Sequence, residues 1–314
     1  MRYKGLGALG LSAIVIGLLP AAALAAKPAV TTGAAANVTF SSARLNGSVD
    51  PNRLATNYYF QYGTSIALGT QTALTPVGRG ANPVRISVDV GGLAPTTRYH
   101  YRLVAVNASG TRLGKRRTFT TRRQPLGVSL AATPNPLKLG TGTTLAGTLS
   151  GTGNAGRKIV LQGNPWPYTQ GFQNASNELL TNATGGFSFA ILSVPLNTQY
   201  RVVMSERPAV VSPIVLAGVK FYVKSRVSKR RVRRGRTVRF SGTVRPARPG
   251  ANIAFQKKSN GRWVSINGTI VRGGGRYSKR VKIRRGGSYR VWTGIANGEY
   301  TSNHGRTFRL RTFR

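Results

Sequence analysis

Few side chains in this chain of 314 residues could carry acid–base or metal chemistry. Catalysis needs several ionisable groups brought together, but Asp50 falls in a turn, and Asp89 and His100 fall within predicted strands. The remaining carboxylates are far apart in sequence. No carboxylate pair, triad or metal cluster is predicted, so we expect no catalytic residue, metal, cofactor or enzymatic activity. The complete set is Asp50, Asp89, Glu178, Glu206, Glu299, His100 and His304.

Basic side chains are the dominant chemical feature. The 47 lysines and arginines against five carboxylates give a formal net charge of +42, and a charge so far from zero indicates a polyanionic partner. The alternative is an arginine-rich genome composition in which the charge serves solubility. From Ser225 to Arg314 there are 25 basic residues, 20 of them arginine, against Glu299 alone, a local net charge of +24. Over half of the charge therefore lies in this last part of the chain.

Within this part, basic and apolar residues alternate in short runs such as Val238-Arg239-Phe240 and Tyr289-Arg290-Val291. Alternation along a strand places the apolar members in a core and the basic members in water. Because alternate positions on adjacent strands share a face, we expect one surface that attracts polyanions through arginine forks. A solvated face without a partner is the alternative. The predicted polyanion-binding residues are Arg230, Arg231, Arg233, Arg234, Arg239, Lys282, Arg284, Arg290 and Arg309.

A loop with the sequence NPWPYTQGFQN carries three aromatic residues among proline, glycine and asparagine. Exposed rings of this kind could stack on sugars or bases, and Trp166, Tyr168 and Phe172 are the candidate stacking residues. The same rings could instead fold back as a cap over the open end of a sandwich, which we consider the better interpretation.

The elements that position these residues are predicted to be strands. Apolar and polar residues alternate in short runs bounded by Gly, Pro, Asn and Ser, as at Tyr58, Phe60 and Tyr62. No window after the N-terminal segment keeps a helical period. The chain has no cysteine, so packing alone must hold each domain together. The predicted fold class is all-β.

The run LAPTTRYHYRLVAVNASG resembles the fibronectin type III signature. Leu93 and Pro95 match the turn before strand F in that family, and Tyr99 matches the tyrosine that closes a corner by bonding back to the backbone. The resemblance covers about residues 27–121. Gly47 stands where the family has an aromatic residue on the second strand, so the tyrosines of the next strand are expected to fill that space.

Two further units follow a predicted hinge at 122–125. Gly147-Thr148-Leu149 aligns with Gly242-Thr243-Val244, and Tyr200-Arg201-Val202 with Tyr289-Arg290-Val291, so the second and third units repeat each other. Both resemble the Ig-like modules of bacterial envelope and secreted proteins. Little linker separates them, so they are expected to be nearly rigid relative to each other. The sequence thus predicts three tandem β-sandwich domains, fibronectin type III-like and Ig-like, at 27–121, 126–224 and 225–314, after a signal peptide at 1–25.

The first 25 residues have the pattern of a secretory signal peptide. Arg2 and Lys4 precede an apolar run, and Ala23 and Ala25 fit an A-x-A cleavage site. The alternative is an uncleaved membrane anchor, because 5–26 is almost long enough to span a bilayer. No second apolar segment follows, and the C-terminal RTFRLRTFR lacks a hydrophobic anchor. We therefore expect a secreted, extracellular protein at the cell envelope, with no integral membrane span after cleavage.

These features together predict a non-catalytic, secreted or cell-envelope-associated interaction and adhesion protein. Its basic third domain would dock electrostatically onto anionic cell-wall or envelope polymers. The alternative is a secreted nucleic-acid or other polyanion-binding protein that uses the same arginines, with Trp166 and Tyr168 for stacking. A secreted hydrolase of wall polymer is a third class, for which the sequence offers no convincing carboxylate or histidine.

Overall fold

A computed structural model describes residues 26–314, and the predicted signal peptide at 1–25 lies outside the described residues. The described part consists of strands, one 3-10 turn and connecting loops, which confirms the all-β, β-sandwich prediction. Across residues 26–314 no helix is long and apolar enough to cross a membrane. The chain divides into two compact units between Arg123 and Gln124, within the segment where the sequence predicts a hinge.

The first unit is a β-sandwich of two antiparallel sheets. Its strands are β1 (Ala29–Thr32), β2 (Ser42–Asp50), β3 (Thr56–Gly63), β4 (Thr70–Gln71), β5 (Thr75–Gly78), β6 (Val84–Gly91), β7 (Arg98–Asn107), β8 (Gly110–Leu113) and β9 (Arg117–Thr120). One sheet has the order β1-β2-β6 and the other the order β4-β3-β7-β8, with β5 paired to β3 and β9 to β7. Leu45, Phe60 and Leu103 are fully buried between the sheets, because successive side chains of a strand point to opposite faces.

Tyr99 closes the predicted corner of the first unit. Its hydroxyl accepts a hydrogen bond from the Ala94 amide N–H at 2.9 Å, and its ring stacks on Phe119 with centroids 5.5 Å apart. The expectation for Gly47 is wrong, because Leu103 of β7 rather than a tyrosine of β3 fills the space beside it. A Cβ at Gly47 would lie 2.6 Å from Leu103 Cδ2.

The second unit begins with a sandwich of short strands. They are β10 (Gly127–Val128), β11 (Ala131–Thr133), β12 (Leu137–Lys138), β13 (Thr143–Ser150), β14 (Lys158–Pro165), β15 (Gln173–Asn174), β16 (Leu179–Leu180), β17 (Gly186–Ile191), β18 (Thr198–Met204), β19 (Val210–Val211), β20 (Val215–Ala217) and β21 (Val219–Lys220). In one sheet β13 pairs with β10, β11 and β17. The other sheet has the order β15-β14-β18-β19, with β16 paired to β14 and β20 to β18. A parallel pair, β12 with β21, completes this sandwich.

The rest of the second unit is another sandwich. Its strands are β22 (Tyr222–Val227), β23 (Arg231–Arg233), β24 (Thr237–Arg245), β25 (Asn252–Ser259), β26 (Arg262–Ile270), β27 (Arg276–Lys282), β28 (Gly287–Gly294), β29 (Asn303–His304) and β30 (Phe308–Phe313). One sheet has the order β22-β24-β27 and the other the order β23-β30-β28-β25-β26, with β29 paired to β28. Phe240 lies in the core between them, 5.4 Å from the Phe255 ring centroid and 6.3 Å from that of Phe308.

The two sandwiches of the second unit share one hydrophobic core. Phe221 is fully buried, and its ring centroid lies 5.1 Å from that of Tyr300. The Asn197 amide N–H donates to the Glu299 carbonyl oxygen at 3.0 Å, which connects the two sandwiches. Sheet membership changes at Phe221, between β21 and β22, rather than after Lys224. Burial of one phenylalanine contributes about 1.5–3 kcal/mol, so this joint is part of the stable fold.

Candidate functional site

Each carboxylate of the chain has a structural partner. Asp89 forms two hydrogen bonds of 2.8 Å with Arg44, and this hydrogen bonding lowers the pKa of Asp89. Asp50 Oδ1 accepts the Asn52 amide N–H at 3.0 Å. The glutamates form ion pairs, Glu206 with Arg157 at 2.9 Å, Glu178 with Lys158 at 3.4 Å and Glu299 with Arg248 at 2.6 Å. In the described part of the chain, no three histidine or carboxylate side chains are grouped as a metal site requires.

A groove of about 900 Å³ lies on the outer face of the sheet formed by β22, β24 and β27. Its middle is lined by the hydroxyl residues Ser241, Thr243 and Ser278, and Tyr222 lies at one end. The charged lining consists of exposed cations alone, so we call this feature the basic groove. These cations are Lys224, Arg226, Arg245, Arg272 and Arg276.

Strand register explains the shape of the basic groove. On the central strand β24, Thr243 pairs with Lys224 on one side and with Arg276 on the other. Ser241, two residues earlier on the same face, pairs with Arg226. Two strand spacings separate β22 from β27, so the Cα atoms of the opposing walls are about 10 Å apart. Short hydroxyl side chains between long cationic ones therefore create a polar floor and two basic walls.

The turn before β27 places two of the arginines. The Arg272 amide N–H donates to the Arg276 carbonyl oxygen at 2.8 Å, and the Gly275 amide N–H donates to the Arg272 carbonyl oxygen at 3.1 Å. Gly274 and Gly275 have φ values of 67° and 73°, a region that favours glycine. A Cβ at Gly275 would also overlap with the Val244 carbonyl oxygen. The glycines thus permit a tight turn that brings both arginines to one wall.

Tyr277 supports the groove from the core side. Its side chain is buried, and its hydroxyl lies 2.8 Å from Ser225 Oγ and 3.2 Å from the Lys224 carbonyl oxygen. Gly242 leaves room for this hydroxyl, because a Cβ there would lie only 2.6 Å from it. Burial raises the pKa of Tyr277 to about 12. Since Tyr277 belongs to β27 and its partners to β22, the hydroxyl connects the two outer strands beneath the floor.

The protein does not neutralise the charges of the groove. Among residues 26–314, none of the four ion pairs involves a groove cation. Two unit charges about 10 Å apart in water repel by about 0.4 kcal/mol, and this separation is close to the Debye length at moderate salt. The sandwich therefore tolerates the cations, while their fields add along the groove axis. Such a groove can bind an anionic chain.

The binding residues predicted from the sequence do not form one surface. Arg239 of β24 and Lys282 of β27 lie on the same sheet face as the basic groove, beyond its end. Arg231 and Arg233 lie on β23, and Arg309 lies on β30, in the opposite sheet. The expectation of a single surface is wrong, because the outer faces of the two sheets of a sandwich point in opposite directions. Exposed loop positions outside the strands hold Arg230, Arg234 and Arg284.

Arg290 is held by contacts within the sheet. Its Nε donates to Gln256 Oε1 at 2.8 Å, and its guanidinium carbon lies 4.3 Å from the Trp263 ring centroid. Burial lowers the pKa of Arg290. The same cross-strand pair occurs in the other two sandwiches, as Arg201 with Gln162 at 2.9 Å and Arg102 with Gln61 at 2.8 Å. This recurrence indicates that the pair stabilises each sheet.

Two of the three aromatic residues of the loop after β14, Trp166 and Phe172, have separate partners. The Trp166 indole N–H donates to the Asn297 carbonyl oxygen at 2.8 Å, so Trp166 belongs to the joint between the two sandwiches of the second unit. The Arg201 guanidinium lies 4.2 Å from the Phe172 ring centroid. Tyr168 is half-buried, and burial raises the pKa of its hydroxyl. The loop therefore contributes packing contacts rather than one stacking platform.

Reasoning from the sequence missed the cations of the basic groove. In β22, Lys224 and Arg226 alternate with buried residues, which was a usable signal, but the boundary predicted after Lys224 divides this strand. Arg272 and Arg276 flank a glycine turn and follow no alternating pattern. Only the folded turn brings them beside β24.

Comparisons with known proteins give little beyond this description. No protein-family model matches the chain, and no curated protein matches it. Similar solved structures include the FN1–FN3 domains of chicken CNTN1, with 14% identity, a TM-score of 0.30 and coverage of 90% of this chain and 99% of that chain. A tetra-tandem repeat in the extending region of a large adhesion protein has 14% identity and a TM-score of 0.31, covering 90% of this chain and 74% of that one.

The sensor domain of the anti-sigma factor RsgI4 of Pseudobacteroides cellulosolvens is 18% identical, with a TM-score of 0.24, and covers 30% of this chain and 89% of its own. TM-scores this low carry no argument about function. The fold assignment rests instead on the strand order of the sheets and on the corner at Tyr99. The chain is an all-β protein of tandem β-sandwiches.

Proposed function

We propose that this protein is a non-catalytic, secreted interaction protein held at the cell envelope by attraction between its basic C-terminal sandwich and anionic polymers. The observation that carries the proposal is the basic groove, where five cations converge and no carboxylate lines the surface. A polyanion in the groove would release counterions, and the arginine forks would form charge-assisted hydrogen bonds with its oxygens.

The remaining ionisable groups also support an interaction role. The carboxylates take part in ion pairs or, at Asp50, in a turn, so each of them has a structural contact. Export is supported by the signal-peptide pattern of residues 1–25, and envelope association by the charge of the groove.

The proposal can be tested by sedimenting purified protein with an isolated cell-envelope fraction across a salt series. The groove variant carries Arg226→Gln and Arg245→Gln. The matched control carries Arg231→Gln and Arg309→Gln, which remove the same charge from the opposite sheet. We expect the groove variant to be released at lower salt than the intact protein, and the control to behave as the intact protein does.

Two results would contradict the proposal. Equal release of the two variants would mean that net charge, rather than the groove, holds the protein. Sedimentation that does not depend on salt would argue against electrostatic attachment. Point substitutions are preferable to removal of residues 225–314, because truncation would take away the partners of Phe221 and Asn197 at the joint.

A further inference from the structure

The width of the basic groove restricts the kind of polymer that fits. We propose that the groove takes a single linear chain of a phosphate polymer of the envelope, an inference that rests on the proposed function. The Cα atoms of Lys224 and Arg276 are about 10 Å apart, and both residues line the groove. A DNA duplex, whose major groove alone is about 12 Å wide, is too broad to enter.

The floor of the groove favours phosphate over carboxylate. Ser241 and Thr243 offer hydroxyl donors between the cationic walls. Within a chain, each phosphate keeps two non-bridging oxygens that carry the charge and project directly from the polymer backbone, so one can face a wall while the other faces the floor. A polycarboxylate such as polyglutamate carries its two oxygens at the end of a flexible side chain, so ordering them against these donors costs more conformational entropy. The set of donors therefore matches a chain of phosphates better than a polycarboxylate.

The basic track continues beyond the groove on the same sheet face. Arg239 pairs with Arg280, and Thr237 with Lys282, in the register of β24 and β27. From Arg245 to Thr237 the central strand is about 27 Å long. A polymer that lies along the strands would contact the groove first and then these additional cations. Affinity should therefore increase with chain length until the polymer covers the whole track.

The groove has little that would recognise nucleobases. Of the lining residues that the structure describes, Tyr222 alone offers an exposed ring, with 57% of its surface accessible. It lies at one end, whereas binding of single-stranded nucleic acid uses rings that stack on successive bases. The phosphate backbone is therefore the part of the ligand that this surface can contact along its length.

The test is competition for fluorescein-labelled inorganic polyphosphate, followed by fluorescence anisotropy with the purified protein. The competitors are unlabelled long-chain polyphosphate, triphosphate, polyglutamate, oligothymidylate and duplex DNA, compared at equal total charge. We expect long-chain polyphosphate to compete about tenfold better than triphosphate, polyglutamate or duplex DNA. Oligothymidylate should compete through its phosphates, with no change in the Tyr222→Leu variant.

Variants locate the binding to the groove. The double substitution Lys224→Gln and Arg276→Gln removes one cation from each wall and should lower polyphosphate affinity about tenfold at moderate salt, because two phosphate contacts are lost. The matched control, Lys258→Gln with Arg262→Gln, lies on the opposite sheet and should leave the affinity unchanged. Thermal unfolding of each variant shows whether the fold is retained.

The outcomes separate this inference from the proposed function. Competition by duplex DNA or polyglutamate as strong as that of polyphosphate would overturn the inference and leave electrostatic envelope binding standing. Stronger binding of oligothymidylate than of polyphosphate, lost in Tyr222→Leu, would overturn it in favour of nucleic acid. Failure of all these polyanions to bind would overturn both.

Discussion

The salt dependence of binding should report directly on the contacts that Arg276 makes. Arg276 is exposed, lies on one wall of the basic groove and has no ion-pair partner among residues 26–314. The substitution Arg276→Gln removes its charge and keeps a polar side chain. The backbone pairing of β27 with Thr243 remains available, so the fold of the sheet should be retained.

The magnitude follows from the number of groove cations. Each phosphate contact with a single-stranded polyanion contributes about −0.7 to the slope of log affinity against log salt concentration, so the five groove cations contribute about −3.5, to which the cations beyond the groove add. Without Arg276 the slope should become less steep by about 0.7. At about 0.15 M salt the same loss corresponds to an affinity about fourfold lower.

The assay is the titration of labelled polyphosphate by anisotropy at several salt concentrations. Arg262→Gln is the matched control, because Arg262 is also exposed but lies on β26 in the opposite sheet. Its slope should equal that of the intact protein. A slope shallower than about −1 for the intact protein would refute the counting of contacts. Equal slope changes for Arg276→Gln and Arg262→Gln would refute the assignment of binding to the basic groove.

Three substitutions test the packing that supports the groove and the joint. The pKa of Tyr277 is about 12 in the folded protein and about 10 in the unfolded chain. Below pH 10 the protonated hydroxyl therefore stabilises the fold by about 3 kcal/mol, and this stabilisation is lost as the pH rises towards 12. Between these pH values, urea unfolding should show a steeper loss of stability for the intact protein than for Tyr277→Phe; parallel curves would contradict this. Gly275→Ala should lower the free energy of unfolding by more than about 1 kcal/mol. Gly273→Ala is the control and should not lower it, because the space around Gly273 is open. Equal thermal stability of the two variants would refute the turn argument. Glu299→Gln weakens the contacts of 2.6 and 2.8 Å with Arg248 and should cost about 2 kcal/mol, measured by urea unfolding; an unchanged midpoint would contradict it.

The local features of the fold could be predicted from the sequence. Alternation at positions such as Tyr99, Tyr101 and Leu103 identified a strand whose inward residues are buried, because a half-buried strand repeats every two residues. The corner at Tyr99 could also be predicted, since its partner Ala94 lies only five residues away. Such signals depend on residues that are close in sequence, so they can be recognised without knowing how the strands pair.

The assembly of the candidate site could not be predicted in the same way. Alternation shows that Arg239 and Arg309 point away from a core, but it does not show which of two sheets carries each strand. That assignment depends on pairing between distant segments, such as β24 with β27 and β28 with β30. Alternation also did not show that Arg290 differs from the other predicted binding arginines, because its partners Gln256 and Trp263 come from other strands.

The repeated architecture of the second unit argues that the basic groove is a local property of one sandwich. Gly147 and Gly242 occupy equivalent positions, because a Cβ at Gly147 would overlap with the Ser129 carbonyl oxygen and one at Gly242 with that of Lys224. Thr148, next to Gly147, pairs with Gly186, where the equivalent Thr243 pairs with Arg276. Ala146 stands where the third sandwich has Ser241, so the two sandwiches share only part of the hydroxyl floor, and the cationic walls are present in one.

The distribution of charge between these repeats bears on the alternative of genome composition. Residues 126–224 contain seven lysines and arginines, whereas residues 225–314 contain 25. A general enrichment in arginine codons would give both repeats a similar number of basic residues, since they have the same fold and nearly the same length. The excess instead lies in the sandwich that carries the groove. This distribution is the one expected if the proposed anionic partner binds this sandwich, whereas a need for solubility alone would not favour either sandwich.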